Sequence, residues 1–318
     1  MISWSKPDID VAEMDAVRRV MTSGWVTQGT ETEKFEKEIA DYLGCRHVVA
    51  VNNGTAAFAL AMLAHDVKEL TMPAYAYPSV VSTLRIMGVN VLFGEIHARQ
   101  VTMIPFNSGG WMAPVSYAGM PLNGDSWGDL KVIEDAGESF GAEGRGGKTG
   151  AQGWTATFSF HAAKTLTTVE GGAVATDDDG FADRLRKIRH RGYLNFQTTD
   201  IASAIGRVQL RKLPDHLENR GRVARFYREE LKGLVGFQHV PKHVRIHANT
   251  MFPIFVHHPK LLAARLGKLG VETRLGWPAL NDTWAAHHVS SHVLTLPIYN
   301  TMPEAETEYV VKCVKKSL

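Results

Sequence analysis

The stretch HVVAV-NNGT-AAFALAMLA (residues 47–51, 52–55 and 56–64) constrains this chain more than any other. A short apolar, β-branched run reads as a buried strand, a polar turn carrying Gly54 follows, and a run of good helix formers comes next. A strand that leaves through a glycine turn into a helix is the building unit of an α/β sheet. The unit recurs: LTMP (70–73) ends a second strand and SVVSTLRIM (79–87) reads as a helix. VNVLFGEI (89–96), GWMAPVSY (110–117) and LKVIED (130–135) read as further strands. Upstream, TEKFEKEIADYL (32–43) places Phe35, Ile39, Tyr42 and Leu43 on one helical face with charges opposite. This alternation predicts a mostly parallel sheet flanked by helices, with ligands at the carboxyl ends of the strands. NNGT, PAYAY and EDAGE all fall at that edge.

The pattern changes after Lys164. FADRLRKIRH (181–190) reads as a helix, and a long helical region from about Thr199 is interrupted by Pro214. A smaller α/β segment follows, with TMFPIFVHH (250–258) and VETRLGW (271–277) as strands and PKLLAARLGKLG (259–270) as a helix. PEAETEYVVKCVKK (303–316) closes the chain as a helix, with Pro303 suited to its first turn. The expected division is a large domain over 1–220 and a small C-terminal domain over 221–318.

Bulk properties exclude several classes. Apolar residues make up 44% and charged residues 21% of the 318 residues, as in an ordinary soluble globular protein. Lys+Arg number 35 against Asp+Glu 33, so there is no basic excess to suggest nucleic acid or an anionic membrane as partner. The longest apolar stretch, residues 56–64, is too short to span a bilayer, and the acid-bearing N-terminus does not read as a signal peptide. Cys45 and Cys313 make no disulfide framework, so a reduced, cytoplasmic setting is expected. The pairs His257-His258 and His287-His288 lack metal-ligand spacing, and no metal is expected.

Chemistry concentrates on two residues. Lys164 lies in FSFHAAKTLTTVEGGAV (158–174) among Phe158, Phe160, Leu166 and Val169, surroundings expected to favour a neutral, nucleophilic amine. Asp135 ends the apolar run LKVIED. A lysine can form a Schiff base with an aldehyde cofactor, and an aspartate at a strand mouth can hold a pyridinium nitrogen protonated. Together those roles point to pyridoxal phosphate (PLP). Gly54 and Thr55 open a helix directly after a strand and make an anion site from backbone N–H groups, a hydroxyl and the helix dipole. Ser159 would add a second hydroxyl. Of Tyr75 and Tyr77, one is expected to stack on a planar ring and the other to pack in the core. GAEGRGGKTG (141–150) imitates a phosphate loop but has Ala142 where that motif needs glycine, and reads instead as a Gly-rich hairpin over the site.

In order along nearly the whole chain, these segments resemble the DegT/DnrJ/EryC1/StrS family of PLP-dependent nucleotide-sugar aminotransferases. SGWVTQG (23–29), VNNGTAAFAL (51–60), IEDAGESFGA (133–142), SFHAAKTLTTVEGG (159–172), NFQTTDIASAIGRVQL (195–210) and HVLTLPIYNTM (292–302) are similar to its successive motifs. The resemblance implies an aspartate-aminotransferase-like fold type I, with a seven-stranded sheet in the large domain. It implies Lys164 as Schiff-base lysine and proton shuttle, and Asp135 as partner of the pyridinium nitrogen. Tyr77 would stack on the ring, Glu138 would stand near it, and Gly54, Thr55 and Ser159 would bind the phosphate. Asn195 would reach the phosphate of a neighbouring subunit, which implies a homodimer with shared active sites. The implied donor is L-glutamate, with glutamine as the alternative, Arg191 or Arg274 are candidates for its carboxylate, and the implied acceptor is a nucleotide-linked keto-sugar. The chain departs from the family at Ala76, Val169, Gln197 and LGWPALND (275–282), where Trp277 stands for the family aromatic, and in a short segment ahead of LKVIED. Two other readings compete. A PLP-dependent sugar dehydratase of this family carries His at the lysine position, which Lys164 argues against. A non-catalytic PLP-binding regulator is the other, and no basic DNA-binding segment supports it.

Overall fold

The structure is a computed structural model, and it describes residues 1–106, 109–191 and 195–318, without the side chain of Arg191. Its strands in chain order begin with β1 (His47–Val51), β2 (Glu69–Pro73), β3 (Asn90–Gly94) and the short pair β4 (Ile96–His97) and β5 (Thr102–Met103). There follow β6 (Trp111–Met112), β7 (Lys131–Asp135), the hairpin β8 (Glu143–Gly144) and β9 (Gly147–Lys148), then β10 (Thr155–Ser159) and β11 (Gly172–Thr176). Seven of these form one sheet in the order β1-β11-β10-β7-β6-β2-β3. Its pairings are parallel except at β11, which runs antiparallel to both β1 and β10. The expectation of a mostly parallel seven-stranded sheet flanked by helices holds.

Helix α1 (Val11–Ser23) and helix α2 (Thr30–Leu43) precede the sheet, and helix α3 (Gly54–Ala64) and helix α4 (Pro78–Ile86) follow β1 and β2. Eight of the eleven residues of α3 are buried, which explains its lack of a polar face. Residues of α3 pack in one large cluster with Val49, Val51, Met72 and Phe181. Helix α5 (Asp179–Arg191) leads to helix α6 (Asp200–Glu230), a helix of 31 residues that carries Pro214 inside it. The expected interruption at Pro214 is therefore corrected. A mid-helix proline costs roughly 3 kcal/mol, but α6 is gripped along its whole length. Ala204 and Val208 pack on α1, Leu210, Leu213 and Leu217 pack in the cluster of Phe140 and Phe158, and Val223, Ala224 and Tyr227 pack in the C-terminal cluster.

The C-terminal half supplies β12 (Gly236–Phe237), β13 (Phe252–Phe255), β14 (Arg274–Leu275) and β15 (Val293–Leu296), ordered β12-β13-β15-β14 and antiparallel throughout. Helix α7 (Pro259–Lys268), helix α8 (Trp284–His292) and helix α9 (Glu304–Ser317) accompany this sheet. Ile2 joins the C-terminal cluster and bridges Val271, so the N-terminus packs on this half.

Three expected strands are shorter than the sequence suggests; of 250–258, Phe252–Phe255 forms β13. In 110–117 only Trp111–Met112 pairs continuously, because Pro114 has no N–H to give; the line resumes as a single bridge, Val115 to Asp135. In 271–277 only Arg274–Leu275 pairs as a strand, apart from the single bridge at Val271, because the Trp277 N–H turns away to the Tyr75 hydroxyl (2.9 Å). No described helix is long and apolar enough to cross a membrane.

Candidate active site

Strand β7 delivers Asp135 to the carboxyl edge of the large sheet. The Asp135 N–H donates to the Pro114 carbonyl (2.9 Å) and the Asp135 carbonyl accepts from the Ser116 N–H (3.0 Å), while Thr157 of β10 pairs on the other side. The Asp135 Oδ1 accepts from the Gly137 N–H (3.1 Å). Burial holds its pKa above the ordinary aspartate value, against the pull of that N–H and of Lys164.

Glu138, one turn further on, is 8% exposed. Its Oε2 accepts from the Ala118 N–H (2.7 Å), and its carbonyl accepts from the Thr250 hydroxyl. Burial raises its pKa as well, and Lys164 opposes the shift. The Lys164 Nζ stands 3.7 Å from the Glu138 Oε1. Its nearest charged partner is thus a buried carboxylate. The apolar side chains expected around it, Phe158, Phe160 and Leu166, lie in the core cluster instead, and Val169 is half-exposed.

The loop carrying Lys164 links β10 to β11 and is pinned at both ends. The Phe160 N–H donates to the Gly171 carbonyl (2.8 Å), and the Phe160 carbonyl accepts from the Thr168 N–H (2.9 Å). Its middle is held from behind: Asn300 Nδ2 donates to the Thr165 carbonyl (3.1 Å), and His216 lies 3.2 Å from the same oxygen and 2.9 Å from the Asp8 carboxylate. Val169 in this loop has φ +72°, the left-handed region that a β-branched residue rarely adopts. The conformation explains why a glycine would suit this position.

The start of α3 forms the neighbouring wall. Asn53 caps the helix through its Oδ1, which accepts from the Ala56 N–H (2.8 Å), leaving the first-turn amides of Gly54 and Thr55 without intrahelical acceptors. A Cβ on Gly54 would stand 2.7 Å from the Ser159 Cβ, so only glycine lets α3 and the end of β10 come this close. The Thr55 hydroxyl lies 3.0 Å from that of Ser79, a third hydroxyl that the sequence reading missed. Amides and hydroxyls converge there in an arrangement able to cradle an anion.

Tyr77, at the N-cap of α4, is 51% exposed and meets Trp277 edge-on at 5.6 Å. Tyr75 is buried, stacks on Trp277 at 5.4 Å and has its phenol pushed up to about 12 by burial. The division into one packing tyrosine and one open tyrosine is as expected, with Tyr77 the open one. Asn195 is exposed, and its carbonyl accepts from Asn52 of the turn before α3 (3.1 Å). Arg274 is turned to Glu272 (2.7 Å) and the Trp4 ring, while the Arg191 side chain lies outside the described residues. The hairpin β8–β9 exists as read, but its bonds run to Tyr42 and to residues 245–246. No cluster that could hold a metal occurs among the described residues.

Glu134, beside Asp135 but on the other face of β7, is a further buried carboxylate, which the sequence reading passed over. It accepts from the Ser116 hydroxyl and from Trp154 Nε1 (3.0 Å), and burial pushes its pKa up to about 7.

A lysine amine facing two desolvated carboxylates at the carboxyl edge of a parallel sheet, with an anion cradle one strand away, defines a group-transfer enzyme of the fold type I class. The chain belongs to the DegT/DnrJ/EryC1/StrS aminotransferase family, whose profile matches residues 7–315. It is 29% identical to the GDP-perosamine synthase of Caulobacter vibrioides over 367 aligned positions, covering 100% of this chain and 98% of the relative. That alignment is longer than the chain, so the relative carries segments that are absent here. Among solved structures, Helicobacter pylori PseC, an aminotransferase involved in the biosynthesis of pseudoaminic acid, superposes with a TM-score of 0.91 at 23% identity, over 99% of this chain and 98% of that one. DesV of S. venezuelae, solved in complex with a ketimine intermediate, gives 0.89 at 26% identity, over 96% and 93%.

Proposed function

We propose that this protein is a PLP-dependent aminotransferase that takes an amino group from L-glutamate and delivers it to a keto group of a nucleotide-linked deoxysugar. The observation that carries the reading is the Lys164 amine, 3.7 Å from the buried Glu138 carboxylate and electrostatically coupled to Asp135. The cradle fits the cofactor's phosphate: a Cβ at Gly54 would fill the space beside Ser159, and that side chain ends in a hydroxyl. Gly54, Thr55 and Ser159 would hold the phosphate, Asp135 would keep the ring nitrogen protonated, and Tyr77 would cover a ring face. Once bound, PLP supplies an aldehyde for the amine and a ring that withdraws electrons from the carbon losing its proton. The protein's own contribution is proton management: Lys164 Nζ accepts a proton from one carbon and returns it to another. Glu138 keeps that amine oriented between transfers.

Asn195 would serve the cradle of a second copy, in a homodimer with shared sites, and the division at residue 220 belongs to the same reading. The relatives' names support a sugar acceptor: one makes GDP-perosamine and another serves pseudoaminic acid biosynthesis.

The test is the visible absorption of the protein with PLP, before and after L-glutamate, with Lys164→Ala as control. We expect a lysine-dependent yellow band that glutamate converts to the pyridoxamine form, followed by recovery on adding keto-sugar nucleotides. A band that glutamate leaves unchanged would reject the donor. No band in the wild-type protein would reject the role of Lys164.

A further inference from the structure

An open cleft of about 1180 Å³ lies between the second half of α6, β12 and residues 238–249. Four arginines line it, Arg99, Arg225, Arg228 and Arg245, and Glu218 is the only acid on its wall among the described residues. Arg245 is paired with Glu143 (3.2 Å), whereas Arg225 and Arg228 meet no carboxylate within ion-pair distance among the described residues. Arg228 is half-buried. Its partners are the Gln238 carbonyl (3.2 Å) and the faces of Phe237 and Phe252, at 5.5 and 5.6 Å. A cation in such a place is costly without a counter-charge, and desolvation accordingly lowers its pKa.

Two further polar atoms lack partners here. Gln238 is 1% exposed, and its Oε1 is buried with no hydrogen bond, although its Nε2 donates to the Gln100 carbonyl (2.7 Å). His247 accepts from the Asn249 N–H on Nδ1 (3.0 Å), so its proton sits on Nε2, which is also buried and unpartnered. Burial and Arg228 keep that ring neutral, with its pKa lowered to about 3. Several guanidinium groups and a neutral imidazole thus line one cleft, together with the apolar Leu217, Ala224 and Phe255.

We infer that this cleft binds an organic phosphate, with the phosphate oxygens on Arg225, Arg228 and His247 and the apolar body of the ligand on those apolar side chains. Guanidinium forks match phosphate oxygens bidentately, and the cleft has room for a nucleotide-sized molecule. The inference does not depend on the catalytic reading, because no residue of the cofactor cradle takes part.

The test is calorimetric titration of inorganic pyrophosphate and of uridine diphosphate into PLP-saturated protein, which keeps the cofactor cradle filled. Arg225 and Arg99 are exposed, so an Arg99→Gln/Arg225→Gln variant keeps the fold, and its circular dichroism serves as the check. We expect one saturable pyrophosphate site per chain, weakened at least tenfold in that variant and unchanged in Ser159→Ala, with tighter binding of the nucleotide. Absence of saturable binding, equal affinity in the double-arginine variant, or loss of binding in Ser159→Ala would each overturn the proposal.

Discussion

At the carboxyl edge of the seven-stranded sheet, Asp135, Glu138 and Lys164 bury unlike charges together and leave part of their hydrogen-bonding capacity open. At Arg220, on α6, a guanidinium that is 1% exposed is bonded through two of its three nitrogens to neutral acceptors. Its Nε donates to Asn300 Oδ1 (2.6 Å) and its Nη1 to the carbonyls of Asn249, Thr250 and Ile298 at 3.0–3.3 Å, with no carboxylate involved. Burial drives its pKa down to about 9. Spent donors make a structural joint, and open ones await a ligand. Both regions hold the same segment, since Thr250 bonds the Glu138 carbonyl from one side and Arg220 from the other.

The sharpest way to break this contrast is Arg220→Met. It orphans one amide oxygen and three carbonyls, and we expect a loss of about 4 kcal/mol in denaturant unfolding, at roughly 1–3 kcal/mol per unsatisfied buried group with part recovered from the cation's own desolvation. A loss below 1 kcal/mol would remove the structural half of the comparison.

Glu134 tests whether a neighbour of Asp135 can belong to the spent class. Its folded pKa, about 7, lies above the ordinary 4.5, so the folded state binds the proton more tightly than the unfolded chain. The stability it contributes is fully present below about pH 4.5 and is lost as pH rises to about 7. The swing is on the order of 3 kcal/mol at 1.36 kcal/mol per unit. Unfolding free energies of wild type and Glu134→Gln, measured at pH 5 and pH 8, should differ in their pH slopes by that amount, with the variant flatter.

Asp135→Asn should do the reverse of Arg220→Met. We expect turnover to fall about 10²-fold, in line with removal of one preorganised charge, while the unfolding free energy stays the same or rises because a desolvated carboxylate is gone. Equal losses in both quantities would place Asp135 with Arg220. The smallest effect belongs to the strained loop. Val169→Gly should raise stability by about 1 kcal/mol by relieving a left-handed β-branched residue, a shift readable in the thermal midpoint.

Local pattern carried the sequence reading far. The run from β1 through Gly54 into α3, and the strand ending at Asp135, are each written within about twenty residues, and both stand where periodicity put them. Lys164 was legible from its chemistry and motif, but its setting was not. The groups that fix its loop, His216 and Asn300, are 51 and 135 residues from Thr165, and no local signal links them. Glu134 and Asp135 are adjacent acids, and only the alternation of a strand sends one to the active edge and the other to Trp154. The stop expected at Pro214 failed because long-range packing outweighs one missing helical bond.

That continuity gives α6 a mechanical role. Its 31 residues make a rod about 46 Å long at 1.5 Å per residue, with one end beneath the lysine loop's sheet and the other in the C-terminal cluster. Pro214 is the one residue in the rod that withholds a backbone tie. A bend of about 5° there would carry the far end by about 2 Å over the remaining sixteen residues. Such a bend would change the width of the arginine-lined cleft, whose wall includes Pro214.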